Sequence, residues 1–422
     1  MLSVHQHWDP LKVCAVGRSY PPEFYSFVKN SKARSVLERI AIETEEDYQK
    51  LISLLESFGI TIVRNDISDN IEDHFWCGHY SPPPMTPRDH TAMIGNKFFM
   101  PGSNYGEWPF NYVTNFMDEF NDIFDARDSG KKLTVQQKEN ISRSIRNKIE
   151  SYDCDSHVRN AILTTLRSLV RSINTNPLST FPNNKKFNTF STIEKFLKDS
   201  GNEIIYDTYI NAATLSRIGK DLYFGTVGNW DSEDQISSDY LQYAEKYFSK
   251  DYRIHKVDSA SHSDAVFTPV KPGLIVTLED RVSFDKTFPG WEVVRLPEQS
   301  WSKVGPFLEL KEKNQGKWWV PGEELNDDFT DFVETWLRDW VLYVEETVFD
   351  VNMLVIDEKN VVCNNYNKKV FDAFERHGIT PHVVNFRHRY FWDGGLHCIT
   401  TDLHREGTMK DYFPERTKGD CI

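Results

Sequence analysis

The sequence predicts an α/β protein built from repeated units, on two observations: strand-pair segments of one pattern recur along the chain, and helix-like segments lie between them. In four places a polar residue precedes a short β-prone run, a tight-turn signal and a second β-prone run. These are His90 to Met100 (HTAMIGNKFFM), Ala212 to Phe224 (AATLSRIGKDLYF), Ala265 to Thr277 (AVFTPVKPGLIVT) and Asn352 to Cys363 (NMLVIDEKNVVC). Turns fall at Gly95-Asn96, Gly219-Lys220, Pro272-Gly273 and Glu358-Lys359-Asn360. Asp89, Asn211 and Asp264 each stand just ahead of a first strand, and Asp350 is two residues ahead of Asn352.

Apolar residues at helical spacing mark Thr44 to Phe58, Tyr240 to Phe248, Asp328 to Val348 and Lys369 to His377. The stretch from about Ser103 to Asn202 is rich in Asn, Ser, Asp and Lys and the least regular part, with a helix or helix pair expected around Val135 to Ile173. If the units pack in a ring, residues at equivalent strand starts converge near its axis and distant polar side chains form one site. Polar-flanked hairpins are common, so the pattern alone leaves repetition open.

A chain of 422 residues, 39% hydrophobic and 14% aromatic, has ample material for a core. Its formal charge of −14 opposes attraction to nucleic acid or anionic membrane and favours cationic small molecules. The six cysteines are spread thinly with no CxxC pair, which is neither a disulfide scaffold nor a structural zinc pattern. A reducing, cytoplasmic location is expected, with no membrane segment. His74, Cys77 and His79 in HFWCGH supply only three candidate ligands, so no metal or other cofactor is expected. Trp318-Trp319 and Arg387 to Phe391 are read as packing residues rather than base-stacking ones.

Near the chain's end, FWDGGLHCITTDLHREG places Cys398 behind two glycines and a histidine. Adjacent glycines allow close backbone approach to a ligand, which suits a nucleophile at a pocket wall, although a lone cysteine is as easily a small packed hydrophobe. The segment GGLHCITTDLHREGT resembles the GGGFHCWTCDVRRRGT signature of glycine amidinotransferases. Trp8-Asp9-Pro10-Leu11 with Val16-Gly17-Arg18 is similar to that family's WDPLxxVIVGR. Pro87-Arg88-Asp89 with Ile94-Gly95-Asn96 resembles its PRDxxxxxGN, and Ser261-His262-Ser263-Asp264-Ala265 its MHIDATF. Asn352 to Lys359, His377 to Thr380 and Asn385-Phe386-Arg387 follow in the family's order, whereas about 103 to 202 aligns poorly.

The resemblance implies one domain over residues 1–422, with an irregular elaboration at about 103–202. It implies a five-bladed α/β-propeller of ββαβ modules, the pentein fold, and a homodimer. It also implies a ping-pong amidinotransferase in which Cys398 attacks a guanidino donor such as arginine and His262 moves protons. Asp89 and Asp264 would hold the planar cation, Gly395 would line the site, and Arg281 would take the donor's α-carboxylate.

The pattern breaks at Ile210-Asn211-Ala212-Ala213-Thr214-Leu215, where the family reads FDAADF and its first Asp completes a Cys-His-Asp group. Asn211 can orient an imidazole but supplies no full charge. Asp350, where the family has a serine, and Asp393, in place of the first glycine of GGG, are candidates to restore negative charge. Ser261, Ile399 and Thr401 replace the family's Met, Trp and second Cys, which leaves glycine open as the acceptor. Two rival readings remain: a hydrolase of the arginine deiminase type, and a silent arginine-binding homologue disabled at Asn211.

Overall fold

A computed structural model describes residues 1–28, 30–76, 79–80, 82–101, 134–151, 187–206, 210–226, 244–259, 262–278, 283–296, 299, 320, 322–323, 325–336, 350–392 and 394–419. Its strands run in chain order as follows. β1 (Leu11–Val16) and β2 (Thr61–Arg64) flank a long helix, and β3 (Phe75–Trp76) and β4 (His79–Tyr80) form a short hairpin. Then come β5 (Ala92–Ile94), β6 (Lys97–Met100) and β7 (Glu203–Tyr206), followed by β8 (Leu215–Ile218), β9 (Asp221–Thr226) and β10 (Arg253–Asp258). β11 (Phe267–Lys271), β12 (Leu274–Leu278) and β13 (Glu292–Leu296) precede β14 (Leu354–Asp357), β15 (Asn360–Cys363) and β16 (Thr380–Val383), and β17 (Thr400–Arg405) is last.

All four hairpins read from the sequence form, as β5–β6, β8–β9, β11–β12 and β14–β15. In each the second strand also pairs in parallel with a third strand, respectively β7, β10, β13 and β16. A parallel neighbour requires a crossover, which is where the helices lie. The unit is therefore strand, strand, helix, strand.

A fifth unit repeats this topology from the two chain ends. β17 pairs antiparallel with β1, from Leu11 opposite Arg405 to Val16 opposite Thr400, and β1 pairs in parallel with β2. Contacts of β17 with β5, β1 with β14, and β11 with β8 join neighbouring sheets. Five blades of one topology close into the expected α/β-propeller. The first strand of the fifth blade is the chain's last and the second its first, so no continuous segment displays this hairpin.

Helix α1 (Ser31–Ser57) crosses between β1 and β2. Asn30 caps it, its side-chain oxygen accepting from Lys32 N at 3.0 Å and Ala33 N at 3.3 Å. Val36, Leu37, Ile40, Tyr48, Leu51, Ile52 and Leu55 are buried along one face at three- and four-residue spacing. The sequence-predicted helix from Thr44 is thus the second half of a longer one, because the apolar spacing continues back through Val36.

Within the irregular region, α2 (Val135–Glu150) has a capping box between Thr134 and Gln137, and α3 (Ser191–Asp199) leads into β7. The short α4 (Phe284–Thr287) precedes β13. α5 (Asp327–Trp336) is the described part of the helix expected from Asp328 to Val348. α6 (Lys368–Arg376) fills the crossover between β15 and β16, and α7 (Arg389–Trp392) precedes the signature segment. Residues 244–248 are helical, within the span expected from Tyr240 to Phe248. Gly59, Gly201, Gly290 and Gly378 hold φ of 74, 75, 79 and 67°, each two residues ahead of a blade's third strand. There the chain leaves its helix through a left-handed residue, a conformation glycine adopts without steric cost.

The ring's centre is polar. Asp402 on β17 accepts from Arg88 Nη2 at 3.0 Å, Arg217 Nη2 at 2.7 and 2.8 Å, and Arg405 Nε at 2.8 Å. Arg217, on β8, also donates to Met93 O at 2.5 Å, and Arg405 donates to Val355 O at 2.8 Å. One carboxylate and three guanidiniums, all buried, therefore tie β17 to its neighbours across the axis.

Candidate active site

The loops that lead into the first strand of each blade are joined in a closed circuit of hydrogen bonds, which at one step passes through strand β11 itself. Ala212 N, ahead of β8, donates to Arg88 O, ahead of β5, at 3.0 Å. Ser263 N, ahead of β11, donates to Ala213 O at 2.9 Å. Thr268 Oγ1 donates to Val351 O, ahead of β14. His397 N, ahead of β17, donates to Asn352 Oδ1 at 2.9 Å, and Arg88 Nε closes the circuit onto His397 O at 2.7 Å. Most of the sequence-predicted site residues lie on these five loops.

Asp89 is half-buried at the end of a 3-10 turn, Pro87–Asp89. Asn211 is half-buried, and its Oδ1 accepts from Thr214 N at 3.0 Å, a local turn contact. His262 is half-buried at the start of the turn that carries the buried Asp264. The Asp350 carboxylate is gripped by side-chain amides, Gln299 Nε2 at 2.9 Å, Asn365 Nδ2 at 3.0 Å and Asn367 Nδ2 at 3.4 Å. Arg281 and Asp393, along with Cys77 of the HFWCGH segment, lie outside the described residues. Among the described residues no group of three or more His, Cys, Asp or Glu side chains is arranged to hold a metal ion.

Cys398 is fully buried in the turn that enters β17. Asn352 Nδ2 donates to its Sγ at 2.9 Å, while Asn352 Oδ1 takes the backbone N–H of His397. Asn364 Nδ2 in turn donates to Asn352 O at 2.8 Å. Gly395 makes room for this arrangement, since a Cβ there would stand 2.4 Å from Asn352 Oδ1. The glycine expected to let a ligand approach is thus required by a neighbouring side chain.

His397 Nδ1 lies 2.7 Å from Asp264 Oδ2. Burial pushes the His397 imidazole well below its ordinary pKa, and the Arg88 cation and the neighbouring His7 act the same way. Burial thus favours the neutral ring, whose Nδ1–H can donate to the Asp264 carboxylate. One oxygen of Asp264 is thereby fixed in place. His7, whose ring centroid is 5.7 Å from that of His397, is likewise held neutral, by burial first and Arg217 second.

Sequence reasoning left three of these residues without a role: His397, Asn352 and Asn364. His397 stood beside the cysteine in the signature, and Asn352 opened a hairpin, but neither signal indicates that the two would meet. Arg88 was quoted only as part of a motif.

The chain is 22% identical over 438 residues to a mitochondrial glycine amidinotransferase of Xenopus tropicalis, covering 97% of this chain and 84% of that protein. It is 21% identical over 229 residues to an L-arginine:L-lysine amidinotransferase of Pseudomonas savastanoi pv. phaseolicola, covering 52% of each. Both relatives are amidinotransferases, and the first likeness spans nearly the whole chain. No family model matches it. Its fold is shared with SxtG, an amidinotransferase of Microseira wollei in saxitoxin biosynthesis, at a TM-score of 0.53 and 15% identity, over 98% of this chain and 99% of that one. The inosamine-phosphate amidinotransferase StrB1 of Streptomyces griseus gives a TM-score of 0.50 at 16% identity, with the same coverage.

Proposed function

We propose that this protein is an amidinotransferase that takes the amidino group of arginine onto Cys398 and passes it to a primary amine. The observation that carries the reading is the meeting of Cys398 Sγ with a donor amide, Asn352 Nδ2, inside the circuit of loops that also bears Asp89, Asn211, His262 and Asp264. A guanidinium carbon is electrophilic but resonance-stabilised, so attack on it needs a thiolate, carboxylates on the planar cation and a proton donor for the departing nitrogen. Those residue types are the ones gathered here. The activities of two relatives, which pair amidino transfer with glycine and arginine with lysine, favour arginine as donor and an amino-acid amine as acceptor.

In the first half-reaction the Cys398 thiolate forms a C–S bond to the guanidinium carbon and the bond from that carbon to the side-chain nitrogen breaks. His262 supplies a proton to that nitrogen, and ornithine leaves. In the second, the acceptor amine forms a C–N bond to the same carbon, the C–S bond breaks, the thiolate is restored and the amine's proton passes to His262. Asp89 and Asp264 hold the amidino group through both steps.

Intact-protein mass spectrometry after incubation with arginine tests this. Wild type is expected to gain one amidino group and release ornithine, and Cys398→Ser to do neither. Citrulline in place of ornithine would mean that water resolves the intermediate. Absence of both adduct and product across guanidino donors would overturn the reading and leave a binding protein disabled at Asn211.

A further inference from the structure

We infer that Asn352 is a catalytic residue of this site, its carboxamide binding the sulfur of Cys398 through Nδ2 and holding the turn that presents it through Oδ1. The inference rests on Cys398 being the nucleophile, and it names a group that acts on that sulfur directly. Three independent pieces of geometry support it. Both ends of one buried carboxamide are used on consecutive residues, Oδ1 on His397 N and Nδ2 on Cys398 Sγ, each at 2.9 Å. The loop bearing Asn352 is itself anchored, by Asn364 Nδ2 on Asn352 O at 2.8 Å and Thr268 Oγ1 on Val351 O. The approach of Asn352 to the turn is so close that residue 395 has no space for a Cβ.

A buried thiol resists ionisation, as Cys14 and Cys363 show, both pushed up to about 12, by burial first and by a nearby carboxylate second. A nucleophilic cysteine needs groups that offset that penalty. An amide N–H directed at sulfur favours the thiolate, because a donor binds the charged form more strongly than the neutral one. The same donor fixes Sγ where the guanidinium carbon is to meet it. The charged and titratable groups around this peptide are Arg88 on His397 O, Asp402 beyond Arg88, Asp264 and His7 beside the His397 ring, and Asp350 and His262 on the adjoining loops. Arg88 assists the thiolate and Asp264 and Asp350 oppose it, but all of them are unchanged when Asn352 alone is replaced.

The test is the pH titration of the Cys398 thiol, read as thiolate absorbance of each protein minus that of its Cys398→Ser counterpart. Asn352→Leu keeps the side chain's bulk and adds no charge, and its midpoint is expected to rise by about one pH unit or more, a roughly tenfold loss of thiolate at a given pH. Asn352→Asp keeps an oxygen for the His397 N–H while replacing the donor with a carboxylate, and is expected to rise further. Amidino transfer in both falls at neutral pH and recovers in part at higher pH, which a purely structural residue would not produce. A folded Leu variant with the wild-type midpoint overturns the inference. If Leu is not accommodated, the Asp variant decides, and an unchanged midpoint there overturns it. Because this titration needs no substrate, its outcome is separate from whether Cys398 forms an amidino adduct.

Discussion

Asp402 is the residue on which the centre of the ring depends. Burial alone would raise its pKa, but Arg217, Arg405 and Arg88 together hold it well below the carboxylate range. Replacing it with Asn would leave three guanidiniums facing one another in the interior, none of them exposed to more than 1%. Removing one partner of a buried ion cluster costs about 3 to 5 kcal/mol. Asp402→Asn is accordingly expected to lower the urea midpoint sharply, and a midpoint within experimental error of wild type would exclude a keystone role. The sequence showed this residue only as part of the signature, because one buried aspartate looks like any polar residue in a strand until Arg88 and Arg217, more than a hundred positions away, are in place. The active site divides along the same line. Asp89, Asn211, His262, Asp264 and Cys398 stood in motifs and were legible as candidates, whereas the role of Asn352 depends on a contact that no local pattern encodes. The amide cage around Asp350 was likewise invisible, since Gln299, Asn365 and Asn367 carry no motif.

At the scale of elements, legibility follows how local the stabilising interactions are. The four hairpins were readable because each is a continuous run of β-prone residues around a turn. The helices were readable where apolar spacing was regular, as in α6, whose buried Val370, Ala373 and Phe374 form one stripe. The start of α1 was missed by thirteen residues, from Thr44 back to Ser31, since serines, Lys32 and Arg34 interrupt the apolar spacing in its first turn and only the cap at Asn30 marks the boundary. That cap satisfies two backbone donors at the helix start and also donates from Nδ2 to Asp328 Oδ1 at 2.8 Å, joining α1 to α5. Asn30→Ala is expected to cost about 1 kcal/mol. Thermal unfolding would register this as a modest fall in midpoint, and an unchanged midpoint would show that the cap contributes nothing net.

At the scale of the molecule, the fold is held shut by its ends. Ser3 O accepts from Arg405 N at 2.9 Å and Asn202 pairs with both Leu2 N and Leu2 O, so the first residues are tied to the last strand and to β7's blade. Several histidines are buried or half-buried. His5, His7, His74, His388 and His397 all have lowered pKa values, with burial the leading cause in each. A histidine unfolded titrates near 6.5, so below about that pH the unfolded chain binds protons that the folded one refuses. The stability these groups contribute is complete above about pH 6.5 and is lost as pH falls toward their folded values. The depressed carboxylates, Asp402 foremost with Asp47 and Asp221, follow the opposite partner chemistry but the same sign, and their loss begins only below about pH 4. Acid destabilisation is therefore expected in two stages, the first in the histidine window. Urea midpoints measured from about pH 8 down to about pH 5 should fall progressively below about 6.5. His7→Asn, which removes one buried imidazole, should flatten that slope even if it lowers the midpoint overall. A midpoint flat across the window would mean that the interior histidines accept protons without cost, which their burial beside Arg217 and Arg88 does not allow.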